Sequence, residues 1–376
     1  MTGNYTIRPP ADMAKGKEKS AFVRRMYSIF PIKSDSGGEK VRKIVFIIAV
    51  VAFIITGGML VYDIYSQAVQ KYVVDEKISN FRENAIQNAS NGIINLAPEV
   101  VEDIKEEKPF IRDDFMELYN ANKDLVGWIN LGGEEKIIDN PVVQTDNNDF
   151  YLHHNFEGDD SKAGTIYVDY RSKFGEDGTP SDFLVMYGHN TQTSVAFSKL
   201  TRYYYEKDNP DPSADKLISF YQKHPTITFD TLKEKGTYKV FACGLFNTDQ
   251  KYGEVYHYLR RGAEFADKDD FNSYILDVMD RSVLFTDVDL TYGDEIICMS
   301  TCYFPFDNAY EHFENVRCAV FARRVREGES PEVDVSKVTR NYYWVGWQQA
   351  VDRGICSPYA GRKWDTGKLL SYEEEP

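Results

Sequence analysis

The chain has 376 residues, 42% hydrophobic and 14% aromatic, which is enough apolar material for a large core and excludes a wholly disordered protein. Its net charge of -15 is unevenly placed: residues 1–43 carry ten Lys/Arg against four Asp/Glu, leaving 34 basic and 55 acidic residues in the rest. So acidic a remainder excludes general nucleic-acid binding by the folded part, because phosphate contacts need clustered cations.

Residues 1–43 are polar, contain Pro9-Pro10 and Gly37-Gly38, and read as a flexible basic tail. Ile44 to Tyr62 follows with nineteen residues and no charge, preceded by Lys40, Arg42 and Lys43 and closed by Asp63. As a helix it spans about 28 Å, enough to cross a hydrocarbon core. A core helix carries charge sooner, and a cleaved signal needs a small-residue cleavage site that is missing here. The expectation is a retained single-pass membrane anchor, with the basic tail in the cytoplasm and everything after it outside.

Residues 63–108 read as a partly helical stalk ending in the acidic run Glu102 to Glu107. Pro109 opens a short amphipathic helix, with Phe115, Leu118 and Tyr119 at helical spacing. From Leu125 the texture changes to short β-type runs cut by Gly, Asn and Asp: Val126–Ile129, Pro141–Gln144, Thr165–Val168, Phe183–Tyr187, Thr226–Phe229, Tyr238–Ala242, Glu295–Cys298 and Val316–Val325. Many short strands separated by turn signals predict a barrel or sandwich. One helix interrupts them, with Phe271, Tyr274, Ile275 and Val278 on one face and Asp267 to Asp270 supplying N-terminal charge. After Arg326 the pattern is lost, and residues 327–376, with Trp344 and Trp347, form an extension of unassigned role whose aromatics imply packing on the body or on a partner.

The five cysteines are Cys243, Cys298, Cys302, Cys318 and Cys356, an odd number with no C-x-x-C and no zinc spacing. No metal or cofactor is expected. Cys298 and Cys302 lie on the run Ile296-Ile297-Cys298-Met299-Ser300-Thr301-Cys302-Tyr303. In a strand they share a face about 13 Å apart, too far for a disulfide. Cys302 sits where this strand gives way to the loop Tyr303 to Asn308, a place that suits a nucleophile, although on spacing alone a small, half-buried core residue is the better reading.

A reactive thiol needs a base or a cation beside it. His189 stands where Phe183-Leu-Val-Met-Tyr-Gly188 breaks into a polar loop, and Arg317 begins the run fifteen residues after Cys302, a spacing that fits a neighbouring strand. Arg323 and Arg324 further along that run read as snorkelling edge residues. Cys302, His189 and Arg317 together supply a nucleophile, a proton-transfer group and a fixed cation for an oxyanion.

These residues resemble the sortases, membrane-anchored cysteine transpeptidases of Gram-positive bacteria, and most closely their class B. The Cys strand reads Cys298-Met299-Ser300-Thr301-Cys302 where the family has Thr-Leu-x-Thr-Cys, so the first two positions depart from it. Tyr187-Gly188-His189-Asn190 is similar to the family's histidine motif and Asn315-Val316-Arg317 to its arginine strand. Leu125–Ile129, Asp139–Gln144, Phe150–His154 and the inserted helix carry the class B likeness, which covers about residues 110–326.

The resemblance implies a mainly β fold: a closed β-barrel of about eight strands, N-terminal helices and a helix inserted before the Cys strand. Its catalytic domain is residues 109–326. It implies that Cys302 attacks the carbonyl of a threonine in a C-terminal sorting signal of an exported protein, His189 moves the proton and Arg317 holds the substrate and offsets charge. The acyl group passes to an amine of a cell-wall precursor or a pilin. Thr301, Ser300, Tyr187 and Leu152 are implied walls of the peptide groove. Two alternatives are a catalytically silent membrane-tethered binding relative and a thiol hydrolase. The remaining cysteines read as core, except Cys356 in the extension.

Overall fold

A computed structural model describes residues 29–91, 111–175, 178–191, 196–204, 218–248, 255–259, 263–303, 316–341 and 366–371. The chain divides into two compact units, residues 1–66 and 67–376. Helix α1 (Gly37–Asn91) begins in the first unit. Its portion Gly37–Ser66 is long and apolar enough to cross a membrane, and none of that apolar window is buried in protein. Phe46, Ile48, Phe53, Ile54 and Leu60 are all exposed.

In the second unit eight strands close into a barrel in the order β1-β2-β3-β4-β8-β9-β6-β5. They are β1 (Leu125–Leu131), β2 (Ile138–Val143), β3 (Ile166–Val168), β4 (Phe183–Tyr187), β5 (Thr226–Thr231), β6 (Thr237–Asn247), β8 (Ile296–Tyr303) and β9 (Val316–Arg324). Each of the eight runs read from the sequence falls on one of them. The β2–β3 and β4–β8 pairs are parallel and the other six antiparallel, so closure leaves no open sheet edge. A separate pair joins β7 (Leu284–Phe285) to β10 (Thr339–Arg340).

Alternation along the strands sorts the apolar residues into two layers. Ile297 and Met299 on β8, Leu184 and Met186 on β4, and Cys318, Val320 and Ala322 on β9 fill the interior. The intervening Ile296, Cys298, Phe183, Val185, Ala319 and Phe321 face outward and are covered by α5 (Lys268–Arg281) through Phe271, Tyr274, Ile275 and Val278. Asp267 caps this helix by accepting from the Asp270 N–H at 2.9 Å. A third cluster packs α2 (Asp113–Ala121), through Phe115 and Leu118, against Leu125, Trp128, Val143, Tyr151, Phe156 and Tyr167. Two further short helices are α3 (Phe150–His153) and α4 (Ser219–Lys223).

One expectation changes here. Arg323 is not a snorkelling residue. It is 0% exposed, pairs with Asp289 at 2.8 Å and Glu329 at 2.5 Å, and donates to the Asp289 carbonyl. A buried guanidinium is tolerated only when its donors are met, and acidic groups from outside the strand meet them. Arg324 likewise pairs with Glu234 and Glu295, at 2.8 and 3.0 Å. The described parts of 327–376 also belong to the body: β10 pairs with β7, and Leu369, 1% exposed, lies against Leu290. The acidic run 102–107, Pro109, Trp344, Trp347, Cys356, Asn315 and the loop after Tyr303 lie outside the described residues.

Candidate active site

Strand β8 runs between β4 and β9. On one side it pairs antiparallel with β9, placing Cys302 directly opposite Arg317. On the other it pairs parallel with β4, with Tyr187 opposite Ser300. Carrying that parallel register two residues further sets His189 beside Cys302. Strands lie about 4.8 Å apart and opposed residues share a face, so the three side chains form one row on the outer face at one barrel end.

The turn that carries His189 is tied to β8 at three points. Gly188 N–H donates to the Ser300 carbonyl at 3.3 Å, Thr301 Oγ1 donates to the Gly188 carbonyl at 2.7 Å, and Asn190 Nδ2 donates to the Cys302 carbonyl at 2.8 Å. Gly188 is glycine because a Cβ there would come within 2.8 Å of the Phe197 ring. Phe197 in turn donates its N–H to the His189 carbonyl at 3.1 Å. The imidazole is oriented from its other side, where Nε2 lies 2.8 Å from the Leu152 carbonyl on α3. A carbonyl oxygen only accepts, so Nε2 carries hydrogen and Nδ1 is the nitrogen left for proton exchange.

Cys302 is half-buried, whereas Cys298, Cys243 and Cys318 are fully buried, and among the described residues no cysteine is in a disulfide. Burial pushes the Cys298 thiol well above its usual range, and burial with the neighbouring Cys318 does the same to Cys243. Neither has thiolate character. Cys302 alone of the four reaches the surface.

Arg317, half-buried, has no carboxylate partner among the described residues; its NH1 contacts only the Val316 carbonyl, at 3.4 Å. Arg323, on the same face of the same strand, is saturated with acids. One cation is consumed by the fold and the other is left at the row.

The expected groove residues divide. Ser300 is 2% exposed and hydrogen-bonded to the Tyr258 hydroxyl at 2.9 Å, and Thr301 is 3% exposed and turned to Gly188. Both side chains are buried and bonded to protein partners, Ser300 on the outer face and Thr301 on the opposite one. Tyr187 is half-buried, its hydroxyl donating to Asp169 Oδ2 at 2.8 Å. Leu152 is half-buried against the third cluster and meets the site through its carbonyl.

Sequence reasoning missed two supports. Asp169, 1% exposed, is gripped by Arg171 at 2.7 and 2.8 Å as well as by Tyr187. Burial raises its carboxyl, and those bonds outweigh burial and hold it below the usual range. Gly164 adopts φ +58°, and a Cβ there would meet the Leu152 carbonyl at 2.9 Å and His189 Cδ2 at 3.1 Å. A glycine opening a predicted strand was the available signal.

No protein-family model matches the chain. It is 28% identical over 254 residues to sortase B of Listeria monocytogenes, covering 66% of this chain and 85% of that relative. It is 29% identical over 192 residues to sortase B of Staphylococcus aureus, covering 51% and 68%. Among solved structures, sortase B from S. aureus complexed with MTSET is similar with a TM-score of 0.50 at 23% identity, over 68% of this chain and 88% of that one. The last likeness is one of fold.

Proposed function

We propose that the chain works as a cysteine transpeptidase of the sortase B family, to whose members it is 28 and 29% identical, with Cys302, His189 and Arg317 as its catalytic residues. The observation that carries this reading is the row across the end of β4, β8 and β9, in which a half-buried thiol has an imidazole-bearing turn on one side and, on the other, an arginine with no carboxylate partner among the described residues.

Cys302 Sγ, as thiolate, attacks the carbonyl carbon of a threonine in a sorting signal, and the C=O electron pair moves onto oxygen. Arg317 faces that oxygen and offsets its charge. As the C–N bond breaks, His189 gives its proton to the departing amine, leaving a thioester on Cys302. An incoming amine then attacks the thioester, His189 takes its proton, and a new amide forms as the thiolate leaves. The Nε2 bond to Leu152 leaves Nδ1 for both transfers.

The substrates are exported proteins bearing a C-terminal sorting signal, and the acceptor is an amine of a cell-wall precursor or a pilin. The apolar helix anchors the enzyme in the membrane, with residues 1–43 in the cytoplasm and the barrel outside. Confinement of enzyme and substrates to one surface raises their effective concentration.

The test is cleavage of a threonine-centred peptide library by the detergent-solubilised chain, with and without a triglycine acceptor. Transpeptidation gives peptide joined to the acceptor, and Cys302→Ala abolishes it. Cleavage to free acid alone, unaltered by acceptor, identifies a thiol hydrolase. No cleavage under either condition identifies a silent binding relative.

A further inference from the structure

Strand β4 ends at Tyr187, two residues short of the imidazole that the row requires beside Cys302. Up to that point the parallel ladder with β8 sets the geometry, and the Gly188 N–H continues it by donating to the Ser300 carbonyl at 3.3 Å. The next rung of such a ladder lies two residues on along both strands. Here that means residue 190 on the carbonyl of Cys302. The rung is present, and a side chain makes it: Asn190 Nδ2 donates to the Cys302 carbonyl at 2.8 Å.

The main chain has meanwhile turned to other partners. Phe197 donates its N–H to the His189 carbonyl at 3.1 Å, Thr191 donates its N–H to Ser198 Oγ at 2.9 Å, and Asn190 stands opposite Ala196 in an isolated antiparallel bridge. Ala196 holds φ +47°, one of two non-glycine residues with a positive φ among the described residues. Strain of that kind persists only where the surroundings over-determine it, and it gathers at functional sites. Asn190 is thus joined to the proton-transfer residue by a peptide bond and to the nucleophile's residue by a hydrogen bond. Both Asn190 and Cys302 are half-buried, so water can meet the Cys302 carbonyl if the amide is removed. Water cannot hold the turn at a fixed distance from the strand.

Resting on the transpeptidase reading above, we infer that Asn190 is a positioning residue for proton transfer: its side-chain amide holds the His189 turn against the thiol strand so that Nδ1 meets the amine leaving the threonine carbonyl. Asn190 acts only through His189 and takes no proton itself. In the step it serves, the tetrahedral intermediate collapses, the C–N pair goes to nitrogen, and the proton on Nδ1 follows it, leaving the thioester on Cys302. An imidazole displaced by about 1 Å delivers that proton poorly.

The test gives the full chain, in detergent micelles, two acyl donors. One is the library peptide that acylates the wild-type thiol fastest; the other is the same acyl segment ending in a threonine phenyl thioester. The peptide releases an amine, which must be protonated, whereas the thioester releases a thiolate, which leaves as an anion. Single-turnover acylation of Cys302 by each is followed by mass in the wild type, in Asn190→Ala and in Asn190→Asp, which keeps the shape without the donor. The expected result in both variants is acylation by the peptide slowed by about 10- to 100-fold relative to acylation by the thioester, with a melting temperature close to wild type. A ratio of the two rates unchanged from wild type in either variant overturns the inference, because the amide would then serve the thiol or the fold. A wild-type chain that the peptide never acylates refutes the transpeptidase reading instead.

Discussion

Thr301 donates its hydroxyl to the carbonyl of Gly188, 2.7 Å away, and so joins the strand that bears the thiol to the turn that bears the imidazole. The contact lies behind the row, on the face opposite Cys302, and substrate never needs to touch it. Thr301→Val keeps the shape and removes the donor. Losing one buried bond costs about 1–2 kcal/mol, read as a lower urea midpoint. Turnover should fall further than that loss implies, since His189 is freed to wander, and Thr301→Ser should restore both.

Gly164 supports the imidazole from the other side. It sits at φ +58° with the Leu152 carbonyl and the His189 ring both within 3.1 Å of where a Cβ would stand. Gly164→Ala therefore strains the backbone by about 1–2 kcal/mol and displaces the acceptor that fixes the His189 tautomer. The expected outcome is a folded enzyme with reduced kcat and a displaced pH–rate profile. An unchanged profile with only reduced stability would make Gly164 a purely structural residue.

Arg323 is the wrong place to look for catalysis and the right one for stability. Its guanidinium is fully buried among Asp289, Asp294 and Glu329. Replacing it with Met strands those acids and should cost about 3 kcal/mol or more. If the loss measured by urea denaturation is below 1 kcal/mol, the neighbouring Arg326 and Lys239 suffice without it.

The same cluster predicts acid lability. Bonds from Arg323 above all, and then from Lys239 and the Arg326 backbone, hold Glu329 well below the usual carboxylate range against the opposing effect of burial. A depressed folded-state value means stability that is complete above the unfolded value, about 4.3 for glutamate, and is lost as pH falls below it. Asp169, Asp287 and Asp289 shift in the same sense, and Glu295, raised chiefly by burial, opposes them. The melting temperature should fall between about pH 5 and pH 3, and less steeply in Arg323→Met.

The C-terminal segment holds the layer over the outer face of β8. Leu369 is 1% exposed against Leu290, Lys368 pairs with Asp287 at 2.5 Å, and the Asn272 side chain on α5 donates to the Ser371 carbonyl at 3.0 Å. Leu369→Ala should cost about 2–4 kcal/mol, whereas Leu370→Ala, at a site 58% exposed, should cost almost nothing. Equal effects would mean that the segment does not dock.

Local patterns carried most of the architecture. Alternating apolar runs between turn residues marked all eight barrel strands, and the strand-end positions of His189 and Cys302 marked the row before any pairing was known. The fifteen-residue spacing to Arg317 made a neighbouring strand the natural reading. What stayed hidden depends on contacts between distant residues. Arg323 looks like Arg317 in its run, and only Asp289 and Glu329, brought in from elsewhere in the chain, bury it. Ser300 and Thr301 point to opposite faces, yet both are covered, one under Tyr258 and the other against the Gly188 turn. Asp169 and Gly164 belong to an unremarkable strand and its approach, and their importance appears only once β3 lies beside β4.

Under the proposed mechanism the half-buried sulfur at the end of β8 is the atom that takes the acyl group. Peptide mapping by mass spectrometry, after the full-length chain is quenched in acid during turnover of a threonine-centred peptide, tests this directly. The expected result is a thioester on the fragment carrying Cys302, at Cys302 itself, that disappears when triglycine is added. An adduct on Cys298, or peptide cleavage with every cysteine unmodified, would contradict it.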